Sequence, residues 1–170
     1  MKAVRFVALS LFMVMMISGL TQKAEAQFAV EGGLAYGADI DRIGIKGHVV
    51  YDLPNVDELY FSGGLTFYTP ESTDFGEQTH TSLWTELNMN AEYRFLEEDN
   101  FNVYGLAGVN RIRYTQRLNG STSTGRTNGV NVGAGFQADL VDFALLDVQL
   151  KYVLDGFDQL ALAAGLRIPI

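Results

Sequence analysis

Residues 82–95 read Ser-Leu-Trp-Thr-Glu-Leu-Asn-Met-Asn-Ala-Glu-Tyr-Arg-Phe. Leu83, Thr85, Leu87, Met89, Ala91, Tyr93 and Phe95 occupy one side of a two-residue period. Ser82, Trp84, Glu86, Asn88, Asn90, Glu92 and Arg94 occupy the other. A strand has that period, whereas a helix would scatter Glu86 and Arg94 among the leucines.

The same alternation recurs on both sides of this segment. Phe28, Val30, Leu34 and Tyr36 oppose Glu31 and Gly33, and Ile43, Ile45, Val49, Tyr51 and Leu53 oppose Gly44, Lys46, His48 and Asp52. Leu59, Phe61, Leu65 and Phe67 oppose Ser62, Gly64 and Thr66. Towards the C-terminus, Val130, Val132, Ala134 and Phe136 oppose Asn131, Gly133, Gly135 and Gln137. Leu146, Val148, Leu150 and Tyr152 oppose Asp147, Gln149 and Lys151, and Leu160, Leu162, Ala164, Leu166 and Ile168 oppose Gly165 and Arg167. The fifth strand, 102–115, has the weakest pattern. Its apolar side is read as Tyr104, Leu106, Ile112 and Tyr114, with Asn110 among them, and Arg111 and Arg113 opposite. Short connections fall at 53–55, 97–100 and 139–143, and Asp155-Gly156 is a two-residue hairpin signal. Segments 70–81 and 116–127 are polar and rich in Ser, Thr and Gly, and read as longer loops.

Composition narrows the partners. The 170 residues carry a formal charge of −8, with 48% hydrophobic and 19% charged residues, which excludes wholesale disorder and argues against nucleic acid. With no cysteine, disulfide frameworks, thiolate metal sites and cysteine nucleophiles are excluded. Ahead of the strands, Lys2 and Arg5 precede an apolar run from Phe6 to Leu20, and Ala24-Glu25-Ala26 gives a small-x-small cleavage pattern. Residues 1–26 are therefore read as a cleaved signal peptide, and 27–170 as a single mature domain.

Eight antiparallel strands with two unlike faces predict a closed up-and-down β-barrel. In a soluble lipocalin-like barrel the apolar face is inside; in a transmembrane barrel it meets lipid. Glycine decides between them. Gly33, Gly37, Gly44, Gly64, Gly105, Gly129, Gly133, Gly135 and Gly165 are read on the polar face, against Gly32, Gly47, Gly63 and Gly108 on the apolar one. A narrow lumen needs small residues, and a water-facing surface does not. Aromatics at the ends of the apolar faces, such as Phe28, Phe61, Phe67, Tyr93, Phe95, Tyr104, Tyr114 and Tyr152, read as interfacial girdles. The lumen would then hold five acids (Glu31, Asp52, Glu86, Glu92, Asp147) and six bases (Lys46, Arg94, Arg111, Arg113, Lys151, Arg167). Such near balance suits a side-chain plug, whereas a selective channel favours one sign.

The leader, the segments Tyr104-Gly105-Leu106-Ala107-Gly108-Val109 and Val132-Gly133-Ala134-Gly135-Phe136, and the alternating last strand together resemble the small bacterial outer-membrane β-barrel family of the eight-stranded OmpA/OmpX-like type. The resemblance implies an outer-membrane location, termini in the periplasm and loops outside. It also implies outer-membrane lipid, lipopolysaccharide and the barrel assembly machinery as partners of a monomer. The role expected is structural or surface-interacting; a narrow channel and a lipid A-modifying enzyme are the alternatives.

No catalytic, cofactor or metal residue is assigned. His80-Thr81-Ser82 with Glu92 echoes a lipid A deacylase pattern, but spacing alone does not bring a base within about 3 Å of a nucleophile. Glu97-Glu98-Asp99-Asn100 and the pair Asp39 and Asp41 read as solvated turns rather than cation sites. Asn119-Gly120-Ser121 reads as a turn. The glycines at 129, 133 and 135 are not a dinucleotide fingerprint, because no helix follows them.

Overall fold

A computed structural model describes residues 27–54, 56, 58–75, 78–118, 121–154 and 157–170. The leader and the dipeptides Asn119-Gly120 and Asp155-Gly156 lie outside the described residues. Nine strands follow one another: β1 Phe28–Gly37, β2 Arg42–Asp52, β3 Leu59–Tyr68, β4 Glu71–Phe75, β5 Gln78–Glu98, β6 Phe101–Leu118, β7 Ser121–Val141, β8 Ala144–Leu154 and β9 Gln159–Pro169. All pairings are antiparallel. Because β1 pairs with β9 and β3 with β5, eight strands close into a ring without an edge. The short β4 stands outside the ring, paired only with the loop-end extension of β5.

Register fixes the barrel's shape. From Ala29, successive partners are Val50, Ser62, Asn90, Gly108, Asn131, Val153 and Gln159. Gln159 lies two residues beyond the Gly37–Ala161 pair, so the circuit returns to β1 opposite residue 39, ten residues from its start. Eight strands with that stagger tilt by about 41° and enclose a backbone radius of about 8 Å. Such a lumen is just wide enough for side chains. Each strand residue climbs about 2.5 Å along the axis at this tilt.

The apolar faces point outward. Leu34, Ile45, Met89, Val109, Leu150 and Leu162 are exposed, while Glu31, Lys46, Glu86, Glu92, Asp147, Lys151 and Arg167 are buried inside. Glycines report the same partition. A Cβ on Gly32 or Gly47, which face outward, would meet nothing within 4 Å. On inward Gly33, Gly64, Gly133 and Gly135 it would meet neighbouring atoms at 2.1–2.2 Å.

One strand has the opposite phase from its sequence reading. In β6, Tyr104, Leu106, Asn110 and Ile112 are buried in the lumen, whereas Val109, Arg111 and Arg113 are exposed outside. Cross-strand partners share a face, so β6 must follow β5 and β7, and Leu87 faces lipid beside Arg111 as Met89 does beside Val109. Tyr104 and Tyr114 therefore leave the aromatic girdle. Each lies over a cross-strand glycine, Gly135 and Gly125, where a Cβ would meet the tyrosine ring at 2.0–2.1 Å. Gly105 and Gly108 exchange faces with them: Gly108 is the crowded inward one and Gly105 is open.

The two expected loops are also mostly strand. The β6–β7 ladder continues to Leu118↔Ser121, and β4 pairs with β5 from Glu71↔Ser82 to Phe75↔Gln78. Ser and Thr alternating with other polar residues fit a two-sided solvated ribbon as well as a loop.

Candidate functional site

Two features present chemistry: the lumen and the outward rim of β6 and β7. Arg167 on β9 is the centre of the lumen's half nearer the termini. Its Nη2 lies 3.1 Å from Glu31, 3.0 Å from Glu92 and 3.6 Å from Asp147. Lys46 Nζ lies 2.5 Å from Glu31 and 3.7 Å from Asp147. Asp147 also accepts from the Tyr104 hydroxyl at 2.9 Å and the Gln137 amide at 3.0 Å. Farther toward the loops, Lys151 donates to Glu86 at 3.1 Å and to Asn88 at 2.8 Å, and Asn131 donates to Asn90 at 2.7 Å.

Each acid arrives by its strand's inward period, and five strands (β1, β2, β5, β8 and β9) meet at the Arg167 and Lys46 groups. Glu86 and Glu92 are 1% exposed and Asp147 0%, so these charges rely on one another rather than on solvent. Because Arg111 and Arg113 are outside, the lumen holds four of the six bases read from sequence: Lys46, Arg94, Lys151 and Arg167. At the mouth Arg42 is a fifth inward base. It pairs with Glu71 and donates to the Ser82 hydroxyl at 2.7 Å and carbonyl at 3.1 Å. A void among Ala35, Lys46, His48, Tyr68, Gln149 and Lys151 measures about 10 Å³, the size of one water.

The deacylase-like constellation is not assembled. Ser82 is held by Arg42, and Glu92 by Arg167. Ser82 and Glu92 are ten residues apart on one strand, about 33 Å. Three of the acidic residues considered for a cation have other partners. Glu97 pairs with Arg94 at 3.3 Å, Asp39 accepts from the Leu160 amide at 2.7 Å, and Asp41 accepts from the Tyr36 hydroxyl at 2.6 Å. Among the described residues, no three His, Asp or Glu side chains converge as metal ligands.

The rim was not foreseen in the sequence. Arg111, Arg113 and Arg117 lie on one side of the two-residue period of β6, with Thr115 between the last two, and Arg126 stands opposite Arg113 on β7; all four are exposed on the outward face. Between Leu87, Met89, Val109, Val130, Asn128 and Arg111 runs an external groove of about 460 Å³.

The family model for the outer membrane protein beta-barrel domain matches residues 7–165. The N-terminal barrel domain of Pseudomonas aeruginosa OprF is similar in fold, with a TM-score of 0.65 at 15% identity over 83% of this chain and 95% of that one. Neisserial surface protein A gives 0.58 at 18% identity, over 84% and 94% of the two chains. Ail, the attachment invasion locus protein of Yersinia pestis, gives 0.52 at 15% identity, over 83% and 95%. No curated protein matches the sequence significantly. The chain belongs to the outer membrane protein beta-barrel domain family.

Proposed function

We propose that this outer-membrane barrel is a monomeric, non-enzymatic protein with a structural or surface-interaction role, its lumen closed by the charged side chains that fill it. Residues 1–26 direct export and are cleaved, the termini lie in the periplasm, and the loop end meets outer-leaflet lipid and lipopolysaccharide. The barrel assembly machinery inserts it. The observation that carries the plug is Arg167. One guanidinium lies within 3.6 Å of three carboxylates contributed by three strands, across a barrel of about 8 Å backbone radius. A path for ions would have to break those contacts. A selective channel would also favour one sign of charge along its wall, and here both signs alternate.

Planar-bilayer recording of the refolded protein tests this reading. The expected result is no steady conductance from the wild type. Large, reproducible conductance steps would overturn the plug and leave the narrow-channel alternative.

A further inference from the structure

We propose that the outward rim of β6 and β7 is a binding site for a phosphate-bearing lipid of the surrounding leaflet. Its acyl chain would lie in the groove formed by Leu87, Met89, Val109 and Val130, and its phosphate on Arg111, Arg113 and Arg126.

Height on the barrel carries the argument. On β6 the outward residues Val103, Gly105, Ala107 and Val109 are uncharged, and Arg111 follows. The apolar face begins at Phe101, ten residues before Arg111 and about 25 Å below it along the axis at the barrel's tilt. An apolar band of about 25 Å is usual for such barrels, so Arg111 stands at its upper edge and Arg113 just above it. Arg126 is bonded across the ladder to Arg113 and so shares its height within a few ångströms.

Charge supplies the second argument. Arg111, Arg113 and Arg126 have no ion-pair or hydrogen-bond partner among the described residues. The outward positions around them are Thr85, Leu87, Thr115, Thr124 and Asn128, which carry no acid. Three guanidiniums in one patch repel each other, and at a lipid boundary they are poorly hydrated; an anion between them relieves both costs. On a second copy of this chain the acid nearest that height, Asp41, already accepts from the Tyr36 hydroxyl. The copy's outward residues at the same height on the other strands are Tyr36, Ile43, Phe67, Leu154 and Leu160. Phosphate accepts forked hydrogen bonds from Arg, and a lipid brings the phosphate to this height already positioned.

The groove supplies the third. It is bounded by Leu87, Met89, Val109 and Val130 and reaches Arg111 and Asn128, so an apolar channel and a cationic head site are continuous. This deepens the membrane reading by naming a lipid class, and it is independent of whether the lumen conducts.

The test is native mass spectrometry of the full barrel in a neutral detergent. The probes are bisphosphorylated lipid A, phosphatidylcholine and inorganic phosphate, with heat-dependent gel mobility confirming that each variant is folded. Lipid A should be retained at least about tenfold more tightly than phosphatidylcholine, and Arg111→Gln/Arg113→Gln/Arg126→Gln should abolish that preference. Val109→Trp fills the groove but keeps the arginines. It should weaken retention of both lipids, and it keeps the test valid if the triple variant does not fold. Equal retention of the two lipids by the wild type, or unchanged preference in the triple variant, overturns the site. Displacement of lipid A by millimolar inorganic phosphate would make it a free-anion site and overturn the lipid assignment. A wild type that shows no heat-dependent mobility in detergent would refute the membrane reading itself.

Discussion

Replacing Arg167 by Met removes the guanidinium that three carboxylates share. The consequences differ among the three. Glu31 and Asp147 keep Lys46, at 2.5 and 3.7 Å. Glu92 keeps no cation within ion-pair distance among the described residues, and it is 1% exposed. Breaking a buried ion pair from one side costs about 3–5 kcal/mol, because the remaining charge is stranded out of water. Glu92→Gln acts differently: it leaves Arg167 paired with Glu31 and Asp147 and removes one charge-assisted hydrogen bond, costing about 1.5–3 kcal/mol. In the double variant no stranded carboxylate remains at residue 92. Its loss should fall short of the sum of the two single losses by about 2 kcal/mol, within the range that contacting residues show. The measurement is urea unfolding in phospholipid vesicles, read by the fluorescence of the single tryptophan, Trp84. A loss below about 1 kcal/mol in Arg167→Met, or strictly additive losses in the double variant, would refute the reasoning.

Three further contrasts follow from neighbouring geometry. Glu86→Gln leaves Lys151 buried beside Asn88 with its carboxylate partner gone, and should lose about 2–4 kcal/mol in the same unfolding assay. Arg94→Gln should lose less than about 1 kcal/mol plus its stacking over Tyr60, because its partner Glu97 is largely in water. Leu150→Arg, near the middle of the apolar band, should cost about 2–4 kcal/mol, and Leu87→Arg, standing beside Arg111 at the rim, about 0–1 kcal/mol. Gly135→Ala should cost about 1–3 kcal/mol by pushing Tyr104 off Asp147, whereas Gly32→Ala, with open space around it, should be neutral or stabilising by about 0.5–1 kcal/mol; unfolding midpoints of the pair decide this.

Most of the barrel is legible by alternation because each strand has one face in lipid and one in a polar lumen. Seven strands carry enough large apolar residues on the outward face to set their phase alone. β6 does not. Its inward face holds Tyr104, Leu106 and Ile112, which look like lipid residues, and its outward face holds Gly105, Ala107 and two arginines. Side-chain polarity therefore misplaces it, and pairing corrects it. Residues of β6 and β7 pair so that their numbers sum to 239. Asn131, Gly133 and Gly135 are lumenal by their own alternation, so their partners Gly108, Leu106 and Tyr104 must be lumenal too. The same sum sets Tyr104 against Gly135 and Tyr114 against Gly125, large over small, as crowded cross-strand neighbours require. The partners of each buried charge were not legible. They depend on the stagger of ten residues around the ring, which brings Glu31, Glu92 and Asp147 to one height, and no single strand encodes it.

The phase of β6 also decides what the charges are for. With Arg111 and Arg113 counted inside, the lumen had six bases and the outer surface none at the rim. With them outside, the described lumen has five acids and four bases along its length, and Arg42 at the mouth is satisfied by Glu71. The inside is then near neutral without them, which is the condition for a packed ionic interior that leaves no charge stranded. The excess negative charge of the chain sits in the connections at both ends: Glu97, Glu98, Asp99, Asp139 and Asp142 are exposed at the terminus end, and Asp39, Asp41, Glu71 and Asp158 at the loop end. The loop-end rim of β6 and β7 has the opposite sign. A barrel whose only task was to be soluble in a bilayer would gain nothing from placing three arginines together at the lipid edge, since the lumen does not need them and they repel one another. Their position is explained by the leaflet they face: a phosphate-bearing lipid there turns a mutual repulsion into a shared attraction, while the loop-end acids Asp39, Asp41 and Glu71 are held by the Leu160 amide, the Tyr36 hydroxyl and Arg42.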